Sequence, residues 1–241
     1  MEQTATEVLS VLDELATPEQ ARKYDRFFPP ASVGGTGRDP DIRFVGVPMG
    51  QVFALARSFL DLPEAELEAL LDQPVHEGRV LAVKVIALRA RRGTEEVRTW
   101  AYQFYLRRHD RIDTWDLVDL GAPDTIGRYL LDHPRDVLDE LASSSDPWRR
   151  RSALYATVTL IRAGQLDEAF SIAERLIDDP HEYVQKAVGT ILRTAGDHDP
   201  ERLRDILERH AATMPRPALR MAIEKLDRAD RDAWLARSPA S

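Results

Sequence analysis

The chain has 241 residues, 43% of them hydrophobic, with 41 Asp and Glu against 33 Lys and Arg for a formal charge of −8, and no cysteine. That hydrophobic share supports a packed core and excludes the disordered class, while the lack of cysteine excludes a disulfide framework, a thiolate zinc site and a cysteine nucleophile. The longest apolar stretches, such as Ala153 to Ile161, are about half of a bilayer span and the acidic N-terminal stretch is no secretory signal, so a cytoplasmic protein without membrane contact is expected.

Glu2 to Leu15 places Val8, Leu9, Val11, Leu12 and Leu15 with helical period. Thr17-Pro18-Glu19-Gln20 then has the form of an N-cap followed by proline in the first turn, which predicts a second helix to about Phe28. Pro29 to Pro40, with Gly34, Gly35 and Gly37, is expected to be a loop. It is a linker rather than a phosphate cradle, because neither a strand nor a lysine accompanies its glycines. From Pro48 onward, helices follow one another with breaks near Leu62-Pro63, Gln73-Pro74, Arg92-Gly93, Ala122-Pro123, His133-Pro134, Asp146-Pro147, Asp179-Pro180, Asp199-Pro200 and Met214-Pro215. Alternating strand patterns are missing, so the fold class is all-α.

These breaks recur. Asp146-Pro-Trp-Arg-Arg-Arg-Ser-Ala153 aligns with Asp179-Pro-His-Glu-Tyr-Val-Gln-Lys-Ala187, and Pro217-Ala-Leu-Arg-Met-Ala222 continues the series at a period of about 34 residues. Ala82 precedes Ala153 by two such periods, which centres the intervening repeat near Leu117. A basic residue before a small alanine on the second helix of each pair resembles HEAT repeats. The expected architecture is a right-handed solenoid of antiparallel helix pairs with a concave face, forming one domain over 1–241, with N-terminal helices and loop in 1–47 and the repeat array in 48–237.

Charge is uneven. Residues 1–75 hold 13 acidic and 6 basic residues, the remainder 28 and 27. Of all 33 basic residues only Lys23, Lys84, Lys186 and Lys225 are lysines. Arginine's planar fork suits carboxylates and phosphates, and scarce lysine disfavours a Schiff-base nucleophile. The acidic total counts against nonspecific nucleic-acid binding but leaves room for a basic face.

The repeat near Leu117 contains Ile112-Asp-Thr-Trp-Asp-Leu-Val-Asp119. Trp115 and Asp119 are four apart and share a helix face. An aromatic plane beside a carboxylate suits a short-lived cation, since the carboxylate opposes the charge and the ring face attracts it. The plainer alternative makes Trp115 a core residue and Asp119 a cap or an arginine's partner. Asp113, Asp116 and Asp119 at period three drift around a helix and make a poor metal site, so neither a metal nor a cofactor is expected.

This element, followed by Trp148-Arg-Arg-Arg151-Ser-Ala and Val184-Gln-Lys-Ala-Val-Gly189, resembles the AlkD-type HEAT-like-repeat DNA glycosylases. Phe44-Val-Gly-Val-Pro48 matches an early motif of that family, and Arg220, Ala222 and Lys225 resemble its last repeat. The similarity runs from about Tyr24 to Leu226. It implies excision of cationic N3- or N7-alkylated purines from duplex DNA by hydrolysis of the N-glycosidic bond, without flipping the base into a pocket. Trp115 and Asp119 would flank the deoxyribose, Arg151 would contact the DNA backbone, and Tyr24 would line the DNA cleft. Arg149, Arg150, Lys186, Arg193 and Arg220 are further candidates for phosphate contact. Three consecutive helical residues fan over about 200 degrees, so Arg149, Arg150 and Arg151 cannot all face DNA. With no lysine at the site, a monofunctional, monomeric glycosylase is expected.

One position departs from the family. A second tryptophan commonly follows the glycine of the Gln-Lys-Ala-x-Gly motif and forms the opposite wall of the site; here it is Thr190. That change allows weaker activity on small lesions, room for bulky adducts, or loss of catalysis with DNA binding retained. The alternative of another class is a noncatalytic HEAT scaffold that binds DNA structures or a protein. Other conspicuous residues are given bland roles: His76-Glu77 near Arg79 as a helix start, His198 as a solvated turn, Trp100, Tyr102, Phe104 and Tyr105 as helix packing, Trp148 as a packing residue and Ser143 to Ser145 as a loop.

Overall fold

The computed structural model describes residues 3–28 and 41–237; the expected loop from Pro29 to Pro40 lies outside the described residues. The chain forms two compact units, Met1–Thr125 and Ile126–Ser241. Among the described residues there is no β-strand, and the sole extended pairing is a single parallel bridge between Arg43 and Val75.

The first unit consists of α1 (Ala5–Leu15), α2 (Pro18–Phe27), α3 (Met49–Ser58), α4 (Glu64–Asp72), α5 (His76–Arg92), α6 (Glu95–Arg107) and α7 (Trp115–Gly121). Its organiser is α5, which packs against α1, α3, α4, α6 and α7. A helix enclosed on so many sides must be apolar around most of its circumference, and 12 of its 17 residues are buried. The expected cap of α2 is present: the Thr17 hydroxyl accepts the Gln20 amide, and Pro18 occupies the first turn. The aromatic run in α6 divides by face. Phe104 and Tyr105 are fully buried, while Trp100 donates its indole N–H to Glu64 at 2.7 Å.

The second unit consists of α8 (Asp136–Ala142), α9 (Pro147–Arg162), α10 (Asp167–Arg175), α11 (Glu182–Gly196), α12 (Pro200–His210), α13 (Arg216–Ala222) and α14 (Arg228–Arg237). Here α9 packs on α11 and α11 on α13, with α8, α10 and α12 alongside. The predicted period is visible in burial: Ala82, Leu117, Ala153, Ala187 and Ala222 are all enclosed, one on each of α5, α7, α9, α11 and α13. The alanines at four of these five positions let neighbouring helices approach closely. Gly189 takes this further, since a Cβ on it would lie 2.2 Å from the Ala218 carbonyl oxygen of α13. The glycine of the Gln-Lys-Ala-Val-Gly motif is therefore required by helix contact.

One of the expected breaks differs. At Ala122-Pro123 the chain does not leave its helical path but widens into a π-helical turn over Pro123–Gly127. The proline N–H is missing at a point where the wider turn no longer calls on it. At Asp179-Pro180 the break is present and α11 begins two residues later, at Glu182, with the Asp179 carboxylate engaged by Arg150 and the His181 amide.

Candidate active site

The site is built at the start of α7. Trp115 is its first residue and Asp119 follows one turn later, both partly exposed, so the carboxylate is not locked in the interior. The indole lies flat on Phe28, with ring centroids 5.2 Å apart and planes 5° from parallel. Phe28 in turn meets Phe44 at 5.0 Å, and Phe44 meets Tyr24 at 5.2 Å. Trp115 is thus the outermost ring of an aromatic cluster whose other members are buried. Each ring restricts the next, which fixes the indole orientation more firmly than one helix could.

Tyr24 belongs to this cluster through its ring, and its hydroxyl donates to the Val47 carbonyl at 3.0 Å. Burial is the main reason its pKa is raised. The structure places Tyr24 behind Phe44, with Phe44 and Phe28 between it and Trp115.

Below the rings lies a polar layer that composition and spacing did not reveal. Sequence reasoning gave His76-Glu77 and Arg79 a plain helix start, yet all three are buried and engaged. His76 Nε2 lies 2.7 Å from Asp116 Oδ2, and its ring packs against Phe28 and Phe44. Thr114 donates its hydroxyl to the other Asp116 oxygen at 2.7 Å. Burial acts to raise the Asp116 pKa, but the His76 imidazole and the hydrogen bonds to the carboxylate outweigh it, and the pKa is lowered. Arg79 donates to the Arg111 carbonyl and sits 3.0 Å from Asp113, whose pKa is raised by burial against the pull of that arginine.

Glu77, fully enclosed, accepts three backbone amides: Gly46 at 2.8 Å and Val47 at 3.2 Å on one oxygen, and Val45 at 3.1 Å on the other. This carboxylate ties the Phe44-Val-Gly-Val-Pro48 segment to α5. The segment's other side is tied to α2, since the Gly46 carbonyl accepts both the Thr17 amide and hydroxyl. Gly46 has φ of +95° and a Cβ there would lie 2.0 Å from the Thr17 carbonyl oxygen, so no other residue fits. The signal that could have exposed this layer is the acid-and-base run His76-Glu77-Gly78-Arg79 set directly before the apolar stretch Val80 to Val83 of a buried helix.

The three aspartates of the motif diverge: Asp113 turns to Arg79, Asp116 to His76, and Asp119 stays on the Trp115 face. Among the described residues no group of three His, Asp or Glu is placed to hold a metal ion.

The basic candidates of the second unit differ in availability. Arg150 is committed to the fold: it makes paired hydrogen bonds to Asp179 at 2.6 and 3.1 Å and two more to the carbonyls of Ser144 and Ser145. Those four bonds occupy four of the five guanidinium N–H groups, so a phosphate contact at Arg150 would compete with its role in the fold. Arg151 is only 4% exposed, donates to the Tyr183 carbonyl and the Tyr155 hydroxyl, and lies over the Tyr155 ring. Lys186 pairs with Glu182 and Arg193 with Glu224, whereas Arg220 is exposed without a hydrogen-bond or ion-pair partner among the described residues. Arg149 is partly exposed, with a buried Nε that has no partner. Trp148 packs with His181 and Tyr183 beside these arginines. Thr190 turns its hydroxyl back onto the Lys186 carbonyl at 2.8 Å, so it presents neither a ring nor a free O–H donor.

The model of a family described as DNA alkylation repair enzyme matches residues 8–226. The chain belongs to this family. Solved structures of similar fold include a predicted DNA alkylation repair enzyme from Enterococcus faecalis, 18% identical with a TM-score of 0.67, covering 88% of this chain and 97% of that one. AlkD2 from Streptococcus mutans is 16% identical with a TM-score of 0.54, covering 75% and 91%. A further Streptococcus mutans protein, smu.31, is 17% identical with a TM-score of 0.53, covering 74% and 93%. A comparison with curated proteins finds no match. Membership in the DNA alkylation repair family agrees with the all-α fold, and no helix among the described residues is long and apolar enough to cross a membrane.

Proposed function

We propose that this member of the alkylation repair family is a monofunctional glycosylase that hydrolyses the N-glycosidic bond of cationic N3- or N7-alkylated purines in duplex DNA. The observation that carries the reading is the pair at the start of α7: a partly exposed tryptophan held flat by Phe28, with a partly exposed carboxylate one turn away. An alkylated purine already bears positive charge and leaves without a strong general acid. The remaining task is to stabilise the sugar as it becomes an oxocarbenium ion and to place a water molecule. Asp119 does this by charge, and Trp115 by its ring face, a contact worth about 0.5–2 kcal/mol.

The DNA backbone is held by Arg151, Lys186, Arg193 and Arg220, with Arg149 as an addition and Tyr24 acting through the aromatic cluster. The surface pairs of Lys186 and Arg193 with glutamates are worth about 1 kcal/mol or less, so a phosphate can replace the carboxylate. Three of the four lysines are paired: Lys23 with Glu19, Lys186 with Glu182 and Lys225 with Asp197. Lys84 lies over the Phe53 ring with a pKa lowered mainly by burial. None adjoins Trp115 in the aromatic cluster, which supports hydrolysis over strand cleavage. The resemblance to the family sets Thr190 where a second tryptophan is common, and the smaller side chain favours bulky adducts as substrates.

The test is release of 7-methylguanine, and of a bulkier N3-adenine adduct, from a duplex by wild type, Asp119→Asn and Trp115→Ala, with abasic sites revealed by hot alkali. Asp119→Asn should lower the single-turnover rate about 100-fold or more, and Trp115→Ala about 2- to 30-fold. Borohydride should trap no protein–DNA adduct. Equal background release by wild type and Asp119→Asn on both lesions would refute the glycosylase; tight, salt-sensitive DNA binding in that case would establish the noncatalytic scaffold that the Thr190 substitution also allows.

A further inference from the structure

The outer face of α2 has no part in the reading above. Its inner face carries Tyr24, and its C-cap carries Phe28, into the cluster that includes Trp115. Between them in sequence and turned outward, Phe27 is 68% exposed; the other large hydrophobic exposed among the described residues is Leu15, at 37%. A phenyl ring left in water forgoes about 1.5–3 kcal/mol of burial, and this one lies next to the residue that backs the site's tryptophan.

The charges around it point to a polyanion. Three of the six basic residues in 1–75 lie on this one helix, at Arg22, Lys23 and Arg26. Arg22 and Arg26 are a turn apart, as are Lys23 and Phe27. Lys23 pairs with Glu19 at 2.9 Å, and Asp25 is also exposed, so not every charge is available. Arg22 and Arg26 are exposed and hold no hydrogen bond or contact ion pair among the described residues. Two uncommitted guanidiniums beside an exposed ring match the make-up of a DNA wedge, in which cations grip phosphates and an apolar side chain enters a base step.

We infer that α2 is such a wedge: Phe27 enters the base stack beside the damaged nucleotide while Arg22 and Arg26 hold neighbouring phosphates. This rests on the proposal that Trp115 and Asp119 meet DNA. Opening a base step costs a few kcal/mol and least where stacking is already broken, so the wedge favours damaged over intact duplex.

The experiment uses the full chain and a duplex with a tetrahydrofuran abasic analogue, which has no glycosidic bond to hydrolyse, next to 2-aminopurine. Wild type should raise the 2-aminopurine emission. Phe27→Ala should abolish the rise and weaken binding to this duplex about tenfold, while binding to intact duplex changes less than about twofold; Phe27→Trp should keep both signals. Arg22→Ala and Arg26→Ala should each reduce the slope of log affinity against log salt by about 0.9. Unchanged emission and affinity for Phe27→Ala would overturn the inference. So would loss of concentration-dependent sedimentation in that variant with DNA binding intact, which would make Phe27 a surface for a second copy. A wild type that opens the step but releases no alkylated base would remove the glycosylase proposal and leave the wedge standing. Base release by Phe27→Ala at the wild-type rate, with no change in emission, would do the reverse.

Discussion

Glu77→Gln isolates the buried carboxylate that holds Val45, Gly46 and Val47. The substitution keeps the shape and removes the charge. At best the new amide oxygen faces Gly46 and Val47, whose bonds then weaken from charge-assisted to neutral, while the new NH2 group faces the Val45 N–H, donor against donor. Weakening two bonds and orphaning a third donor should remove about 2–4 kcal/mol from the stability of the first unit. At a urea dependence of about 2 kcal/mol per molar, the midpoint falls by about 1–2 M. The assay is urea unfolding followed by circular dichroism, with amide exchange at residues 45–47 as the local readout. Glu64→Gln is the control. It weakens exposed ties to Trp100 and Arg107, because one neutral oxygen replaces two charged ones, and should change stability by about 1 kcal/mol or less. If Glu77→Gln unfolds within about 0.5 kcal/mol of wild type and leaves those amides equally protected, the staple does not exist as described.

Asp116 has a lowered pKa in the folded chain, so its contribution to stability is present above the ordinary value of 3.8 and is lost as pH falls through the lower native value. Urea midpoints from pH 7 to 3 should therefore fall less steeply at the acid end for Asp116→Asn than for wild type. Gly189→Ala places a methyl group against the α13 backbone and should destabilise the second unit by about 1–3 kcal/mol, read as a lower thermal midpoint. Thr190→Trp adds the missing aromatic surface; in the lesion panel it should speed release of 7-methylguanine and slow release of the bulky adduct, and equal effects on both would refute a role for this position in substrate size.

Local chemistry explains which features were legible in the sequence. Thr17-Pro18, Asp146-Pro147 and Asp199-Pro200 act within one turn of chain, and all three cap helices through the expected side chain. The 34-residue period was equally readable because close helix packing demands a small residue at Ala153, Ala187 and Ala222 whatever surrounds it. The pairing of Trp115 with Asp119 follows from helix geometry alone. By contrast, the partners of Glu77 are backbone amides about 30 residues upstream, and amides carry no signature in a sequence. Phe28 as the bed of Trp115 was hidden for the same reason, since stacking joins residues 87 positions apart. Arg150 shows the opposite limit: an arginine-rich run suggests phosphate, and nothing local announces that a single aspartate in the next repeat already pairs with one of its members.

The flat seating of Trp115 on Phe28 leaves at most one side of the indole for a visitor, and Asp119 lies along the helix axis from it. Together they define a direction as well as a place. A nucleic-acid strand has unlike ends, so only one sense of travel across α7 brings its sugar edge to the ring and the carboxylate in the right order. Under the proposed reading the two strands of a double helix are then unequal to this protein, and inspecting the second one requires it to let go and turn around.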